Sequence, residues 1–174
     1  MKTKTILLSA IILLLFSCTA KKEYVILQED TTVPDTCPKE GSCDIKVHTD
    51  KTIVVKTSEL GELYYELQDS KDKTVIVYTY TKTVRKDIMD AGYREEIVFE
   101  INNDAKSSVI SDANLQQAKM LFGRFCFCKG STGYYRIKSG SLKTDSDKGI
   151  KRFDLDFHID EVPQVLQRIN FSIK

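Results

Sequence analysis

The chain has 174 residues, with 26 Lys and Arg against 25 Asp and Glu, a formal charge of +1. That balance gives no electrostatic reason to expect a nucleic-acid partner, and no basic run stands out to bind anionic lipid headgroups. Trp is absent and Gly and Pro are sparse, while 8 Tyr and 8 Phe join the β-branched residues as strand-forming material.

The first seventeen residues form a unit of their own. Lys2 and Lys4 precede the apolar run Ile6-Leu7-Leu8-Ser9-Ala10-Ile11-Ile12-Leu13-Leu14-Leu15-Phe16, followed by Ser17 and Cys18. A basic start and a short apolar run match a secretory signal, whose apolar core is ~7–15 residues, and fall short of the ~20 that a membrane-spanning helix needs. The stretch Leu15-Phe16-Ser17-Cys18 resembles the lipobox of bacterial lipoproteins. That resemblance implies a diacylglyceryl group on the Cys18 thiol, cleavage before Cys18 and acylation of the new amine. Phe16 departs from the commonest residue at its place. Two or more long chains, at ~0.8 kcal/mol per buried methylene, anchor a protein stably without spanning the membrane. With residues 1–17 removed, and Lys2 and Lys4 with them, 24 basic residues face 25 acidic ones, a formal charge of −1.

Residues 18–36 read as a lipidated N-terminus and a polar tether, with Lys21-Lys22-Glu23 and Gln28-Glu29-Asp30-Thr31-Thr32-Val33-Pro34. Tyr24-Val25-Ile26-Leu27 interrupts it as a candidate short strand. Residues 37–174 suit a single domain with a sizeable core.

Strand patterns dominate from residue 43 onward. Leu63, Tyr65 and Leu67 alternate with Glu62, Tyr64 and Glu66, and Ile97, Phe99 and Ile101 share one face. Residues 152–159 alternate most cleanly. Such period-two patterns predict one buried and one wet face. Thr74 to Thr81 is apolar or aromatic on both sides and predicts a central strand. Further candidates are 51–57, 123–128 and 134–138. Ser139-Gly140-Ser141 predicts a tight hairpin, residues 144–149 a longer turn, and 83–94 a charged loop. Ser111-Asp112 predicts a helical turn or two through Leu115 and Ala118. Val162, Val165, Leu166 and Ile169 fall at helical spacing with Pro163 suited to a first turn, which predicts a second helix. The fold class is therefore mainly β, an antiparallel sandwich or barrel of about eight or more strands with one or two short helices.

Setting Cys18 aside leaves Cys37, Cys43, Cys126 and Cys128. In an exported protein an even number of cysteines reads as a disulfide framework. Residues 126 and 128 lie at i, i+2 on a predicted strand, where a bond between them would strain the extended backbone. The favoured pairing joins the Cys37–Cys43 segment to the Cys126–Cys128 strand. Loops of roughly 85 to 90 residues closed in this way are worth on the order of 4 kcal/mol. Local pairing, Cys37 with Cys43 and Cys126 with Cys128, is the alternative. The same four thiols could form a metal or redox site, although the spacing is not Cys-x2-Cys and no Cys-x-x-Cys motif occurs.

Other candidate chemistry is thin. His158 shares the polar face of its strand with Asp154 and Asp156, a spacing able to hold a cation, though an ordinary solvated strand face is the favoured reading. His48 sits beside a predicted turn at Thr49-Asp50-Lys51. Asp145-Ser146-Asp147-Lys148-Gly149 lacks most of a calcium loop. Tyr64, Tyr78, Tyr80, Tyr134 and Tyr135 would form a contact platform if they lay on an outer sheet face, but cross-strand aromatic pairing that stabilises the sheet is the favoured reading. No Gly-x-Ser-x-Gly elbow, phosphate loop, dinucleotide fingerprint or His-Glu-x-x-His is present.

The sequence thus predicts a non-enzymatic cell-envelope lipoprotein without a cofactor. It would face the periplasm or exterior, be held by its lipid anchor, and bind or brace an envelope protein or glycan rather than nucleic acid. The alternatives are a barrel that binds a small hydrophobic ligand, or a metal or redox protein built on Cys37, Cys43, Cys126 and Cys128.

Overall fold

A computed structural model describes residues 36–84 and 91–174 of the chain. The signal segment, Cys18, the tether to residue 35 and the strand expected at Tyr24–Leu27 lie outside the described residues.

The domain is mainly β. Its strands are β1 (Gly41–Thr57), β2 (Leu63–Lys82), β3 (Tyr93–Asn102), β4 (Ser108–Ser111), β5 (Leu121–Cys126), β6 (Gly133–Arg136), β7 (Ser139–Asp147), β8 (Ile150–His158) and β9 (Arg168–Ile173). A 3₁₀ helix, Asp112–Ala118, separates β4 from β5. Every pairing is antiparallel. One sheet runs β1-β2-β3-β5-β6, and a second runs β4-β7-β8-β9. A further bridge, Leu63 opposite Tyr134, returns β6 to β2 and closes a small barrel. The architecture is both of the expected forms, a barrel whose wall is also one layer of a sandwich.

The alternation of β2 and β3 explains this dual role. Ile76, Tyr78 and Tyr80 with Ile97, Phe99 and Ile101 face the second sheet. They meet Leu142, Phe153, Leu155, Phe157, Ile169 and Phe171. The rings interlock, with Phe99 centred 5.6 Å from Phe153 and Phe122 5.8 Å from Phe157. Pairs of this kind add ~0.5–1.5 kcal/mol beyond their burial. Val75, Val77 and Val98 point the other way, with Ile53 and Leu121, into the barrel. Both faces of the central strand are thus covered, as its continuous apolar run predicts.

A bulge lets the long β1–β2 hairpin cover the barrel. The register shifts between Thr49 and Lys51, and Asp50 takes a left-handed φ of 55°. Bulges bend the strand that carries them. Beyond the bend, Val55, Tyr65 and Leu67 pack on the barrel core.

Three local expectations are corrected. Residues 162–169 form no helix: Val162, Leu166 and Ile169 are buried, but the backbone is irregular up to β9. Gln164 holds it there, its Oε1 accepting from Ile159 N at 2.6 Å and its Nε2 donating to Leu166 O at 2.7 Å. Glu95 accepts the Val165 and Leu166 amides that a helix would otherwise use. Ser139-Gly140-Ser141 opens β7 and is not a turn. Gly140, at φ 136°, lies so close to β8 that a Cβ would sit 2.1 Å from Asp156 O. The turn is instead Lys148-Gly149, both at positive φ, a tight hairpin of the primed kind. Of the loop expected at 83–94, Tyr93 and Arg94 belong to β3.

Candidate functional site

β3 carries three buried carboxylates, Glu95, Glu96 and Glu100. Burying a charge is costly unless it is paired and hydrogen-bonded. Each of the three is therefore either a structural strut or a functional group, and its partners decide which.

Glu100 sits at the rim of the barrel. Its Oε2 accepts from Thr52 Oγ1 at 2.7 Å, from Ile53 N at 2.9 Å and from Lys119 Nζ at 3.1 Å. Lys119 follows the 3₁₀ helix in a left-handed conformation and also donates to Ile53 O at 2.7 Å. Burial works to raise the Glu100 carboxyl, but the Ile53 amide, the Thr52 hydroxyl and the Lys119 cation outweigh it and hold the pKa below its usual value. This carboxylate pins the bent half of β1 onto β3.

Glu96 accepts from Tyr134 Oη at 2.7 Å and pairs with Arg94 at 3.4 Å. Burial, and then the Glu96 charge, push the Tyr134 phenol up. Tyr65 packs edge-on against Tyr134, with centroids 5.4 Å apart. The group sits at the seam that closes the barrel.

Glu95 lies on the opposite face, between the sheets. It accepts from Tyr93 Oη, from Val165 N at 2.6 Å and from Leu166 N at 2.7 Å. Burial and the Glu95 bond push the Tyr93 phenol up to about 12. Tyr78, whose hydroxyl has no partner in the core, is pushed up to about 12 by burial.

All three carboxylates are saturated by neighbours that hold the chain in place. None presents an acid or base with a free path to a substrate. Sequence patterns missed this set. Its signal was Glu95, Glu96 and Glu100 inside β3, a strand buried on both faces.

The four cysteines of the domain are all in disulfides, paired locally. Cys37 bonds Cys43 with Cα atoms 5.9 Å apart, and Cys126 bonds Cys128 with Cα atoms 5.1 Å apart. The favoured long-range pairing is thus overturned. It assumed a strand through residue 128, whereas β5 ends at Cys126 and the chain bends at Phe127. Nor are the four sulfurs gathered at one point, because β2 and β3 stand between Cys43 on β1 and Cys126 on β5. Among the described residues, no cluster of three His, Cys, Asp or Glu could hold a metal ion.

His158 pairs with Asp160 at 3.2 Å, while Arg168 engages Asp154 at 2.8 Å and Asp156 at 3.7 Å. The His158, Asp154 and Asp156 face of β8 is an exposed strand surface crossed by ion pairs. His48 lies within β1 opposite Val75, not beside a turn. Burial, then Lys46 and Lys51, lower its pKa. Asp145 to Gly149 closes a hairpin, with Asp145 bonded to Ser107 at 2.7 Å and Arg152 at 3.3 Å. Tyr78 and Tyr80 are core residues, Tyr134 and Tyr135 half-buried, and Tyr64 alone of the five is exposed, so the tyrosines form no outer platform.

A cleft of about 350 Å³ opens at the end of the sandwich that carries the Lys148-Gly149 turn. Val47, Ile101 and Ile173 line it, together with Asp50, Asn103 and Lys151. Its polar groups bond one another: Lys151 Nζ donates to Asn103 O at 2.7 Å, and Thr74 Oγ1 to Asn103 Oδ1 at 2.7 Å.

No family model, curated protein or solved structure matches this chain. Nothing in these comparisons points to an enzymatic activity. No helix among the described residues is long and apolar enough to cross a membrane.

Proposed function

We propose that the protein is a lipid-anchored lipoprotein of the bacterial cell envelope, attached through Cys18, whose β domain is a non-enzymatic binding or structural module. One observation carries the proposal. A short apolar run behind Lys2 and Lys4 ends in Leu15-Phe16-Ser17-Cys18, at the length of a cleavable signal and short of a membrane span. The domain is consistent with this role, because its buried charges are spent on holding its own strands. Residues 19–36 then serve as the tether between the lipid and the domain, and the partner is an envelope protein or glycan.

The alternative of a barrel that holds a small hydrophobic ligand requires an empty interior. Ile53, Val75, Val77, Val98 and Leu121 fill that interior, which favours the first reading.

The test is labelled palmitate incorporation in a bacterial host, comparing the natural chain with Cys18→Ala. The natural chain should take up label and fractionate with membranes. The variant should do neither. Label or unchanged membrane retention in Cys18→Ala would overturn the proposal.

A further inference from the structure

The two disulfides are not equivalent. Cys37 and Cys43 both pack against the main core, and Cys43 is registered opposite Tyr80 in the β1–β2 ladder. Opening that bond would release a segment that covers the core. Cys126–Cys128 spans a single residue, so it joins no distant parts and restricts little of the unfolded chain. Its strand end is also held without it. Thr132 Oγ1 accepts the Cys126 amide at 3.2 Å and lies 3.2 Å from Cys126 O. A bond that contributes so little to the fold invites another explanation.

Three features surround it. Cys126 and Cys128 are half-buried, as Cys37 and Cys43 are, but unlike them they pack against neither core. Phe127, held between them, is 83% exposed. The next residue is Lys129, also exposed, and a neighbouring cation favours a cysteine thiolate. A disulfide that solvent reaches and no core encloses belongs with the labile and regulatory class, and an exposed ring beside the bond is an apolar contact for a polypeptide.

We propose that Cys126–Cys128 is an exchange-active disulfide whose substrates are the thiols and disulfides of exported polypeptides, with Phe127 as the contact for the incoming chain. The inference needs the oxidising compartment that export supplies but not the lipid on Cys18. A thiolate of a substrate dithiol attacks Cys126 Sγ. The Sγ–Sγ bond breaks, and Cys128 leaves as a thiolate beside Lys129. The second substrate thiolate attacks its own mixed-disulfide sulfur and expels Cys126. The substrate loses two electrons and two protons and becomes a disulfide, and Cys126 and Cys128 gain them as a dithiol. A polypeptide disulfide drives the same steps in reverse and restores the bond.

The test uses the full-length protein in graded reduced and oxidised glutathione, with alkylation of free thiols and mass spectrometry of each cysteine. Cys126 and Cys128 should open at a ratio [GSH]²/[GSSG] at least about tenfold lower than Cys37 and Cys43. Opening of both pairs together, or of Cys37–Cys43 first, overturns the proposal. A second measurement uses Phe127→Ser. Its exchange with an apolar peptide disulfide should slow several-fold while exchange with oxidised glutathione stays unchanged. Equal rates with both probes remove Phe127 from the mechanism. The result is independent of palmitate labelling, so failure here leaves the lipoprotein reading standing, and failure there leaves this one.

Discussion

Between the two sheets the core interleaves five Phe and two Tyr rings with aliphatic side chains, whereas the buried residues inside the barrel are all aliphatic and are fenced by carboxylates. Phe99, Phe122, Phe153, Phe157 and Phe171 interlock in the first, with Ile76, Ile97, Leu142, Leu155 and Ile169 among the aliphatics around them. Ile53, Val75, Val77, Val98 and Leu121 fill the second, with Glu96 and Glu100 at its margins. Both cores share the same wall, β2 and β3, one on each face. The broad gap between sheets takes large rings. The small barrel buries branched aliphatics, with Tyr65 and Tyr134 packed against them, and its rim is closed by hydrogen bonds. Each core has its polar struts, Glu95 between the sheets and Glu96 and Glu100 at the barrel, but the barrel sets two carboxylates around a far smaller apolar cluster. That difference can be tested.

The largest effect should come from Phe99→Ala, which removes a fully buried ring touching both Phe153 and Phe171. Losses of about 3–5 kcal/mol are expected, read by urea unfolding followed by circular dichroism. Leu121→Ala, in the smaller core, should cost less, roughly 2–3 kcal/mol, because a smaller side chain is removed from an equally buried place. An equal or larger loss at Leu121 would break the ranking of the two cores.

Glu100→Gln should cost about 1–3 kcal/mol at neutral pH, since Lys119 and the Ile53 amide lose a charged acceptor. It also has a pH signature. The folded carboxyl is held below its ordinary 4.5, so its stabilisation is present above that value. It is lost as pH falls through the folded value. The natural chain should therefore lose stability as the pH falls below about 4.5, and Glu100→Gln should lose less over the same range. Parallel curves would show that Glu100 is not a strut.

The smallest effect is expected from Tyr134→Phe, about 1 kcal/mol, through loss of the bond to Glu96. Its sign reverses at high pH. The folded phenol titrates above its ordinary 10.0, so the unfolded chain ionises first and stability falls as pH rises past about 10. The variant should fall less steeply there. Absorbance at 295 nm follows tyrosinate directly, without interference from Trp, which the chain lacks.

Much of the fold was legible because period-two alternation is a direct imprint of a half-buried sheet. β2, β3 and β8 each show it, and the two-sided apolar run from Thr74 announced a strand covered on both faces. The C-terminal segment misled because Val162, Val165, Leu166 and Ile169 fit a helical stripe by coincidence. Ile169, Phe171 and Ile173 alternate as strand β9, and that later pattern was the better signal. Pairing of the cysteines was hidden because it turns on where β5 ends, a matter of one or two residues. The buried carboxylates were hidden for a different reason. Glu95 and Glu96 are adjacent in sequence yet serve opposite faces of the wall, and beyond Tyr93 and Arg94 their partners lie 38 to 71 positions away.

Closure of the barrel has a consequence for the order of assembly. Five of the strand pairings join neighbours in the chain, β1 with β2, β2 with β3, β5 with β6, β7 with β8 and β8 with β9. Such hairpins can form within microseconds. The bridge from Leu63 to Tyr134 spans 71 positions (134 − 63) and must wait for β3, β5 and β6 to be laid down between its ends. Loop-closure entropy places that event late on the folding path. Weakening the seam should then speed the opening of the molecule while leaving the rate of its formation almost unaltered. The seam is a latch, closed after the walls stand.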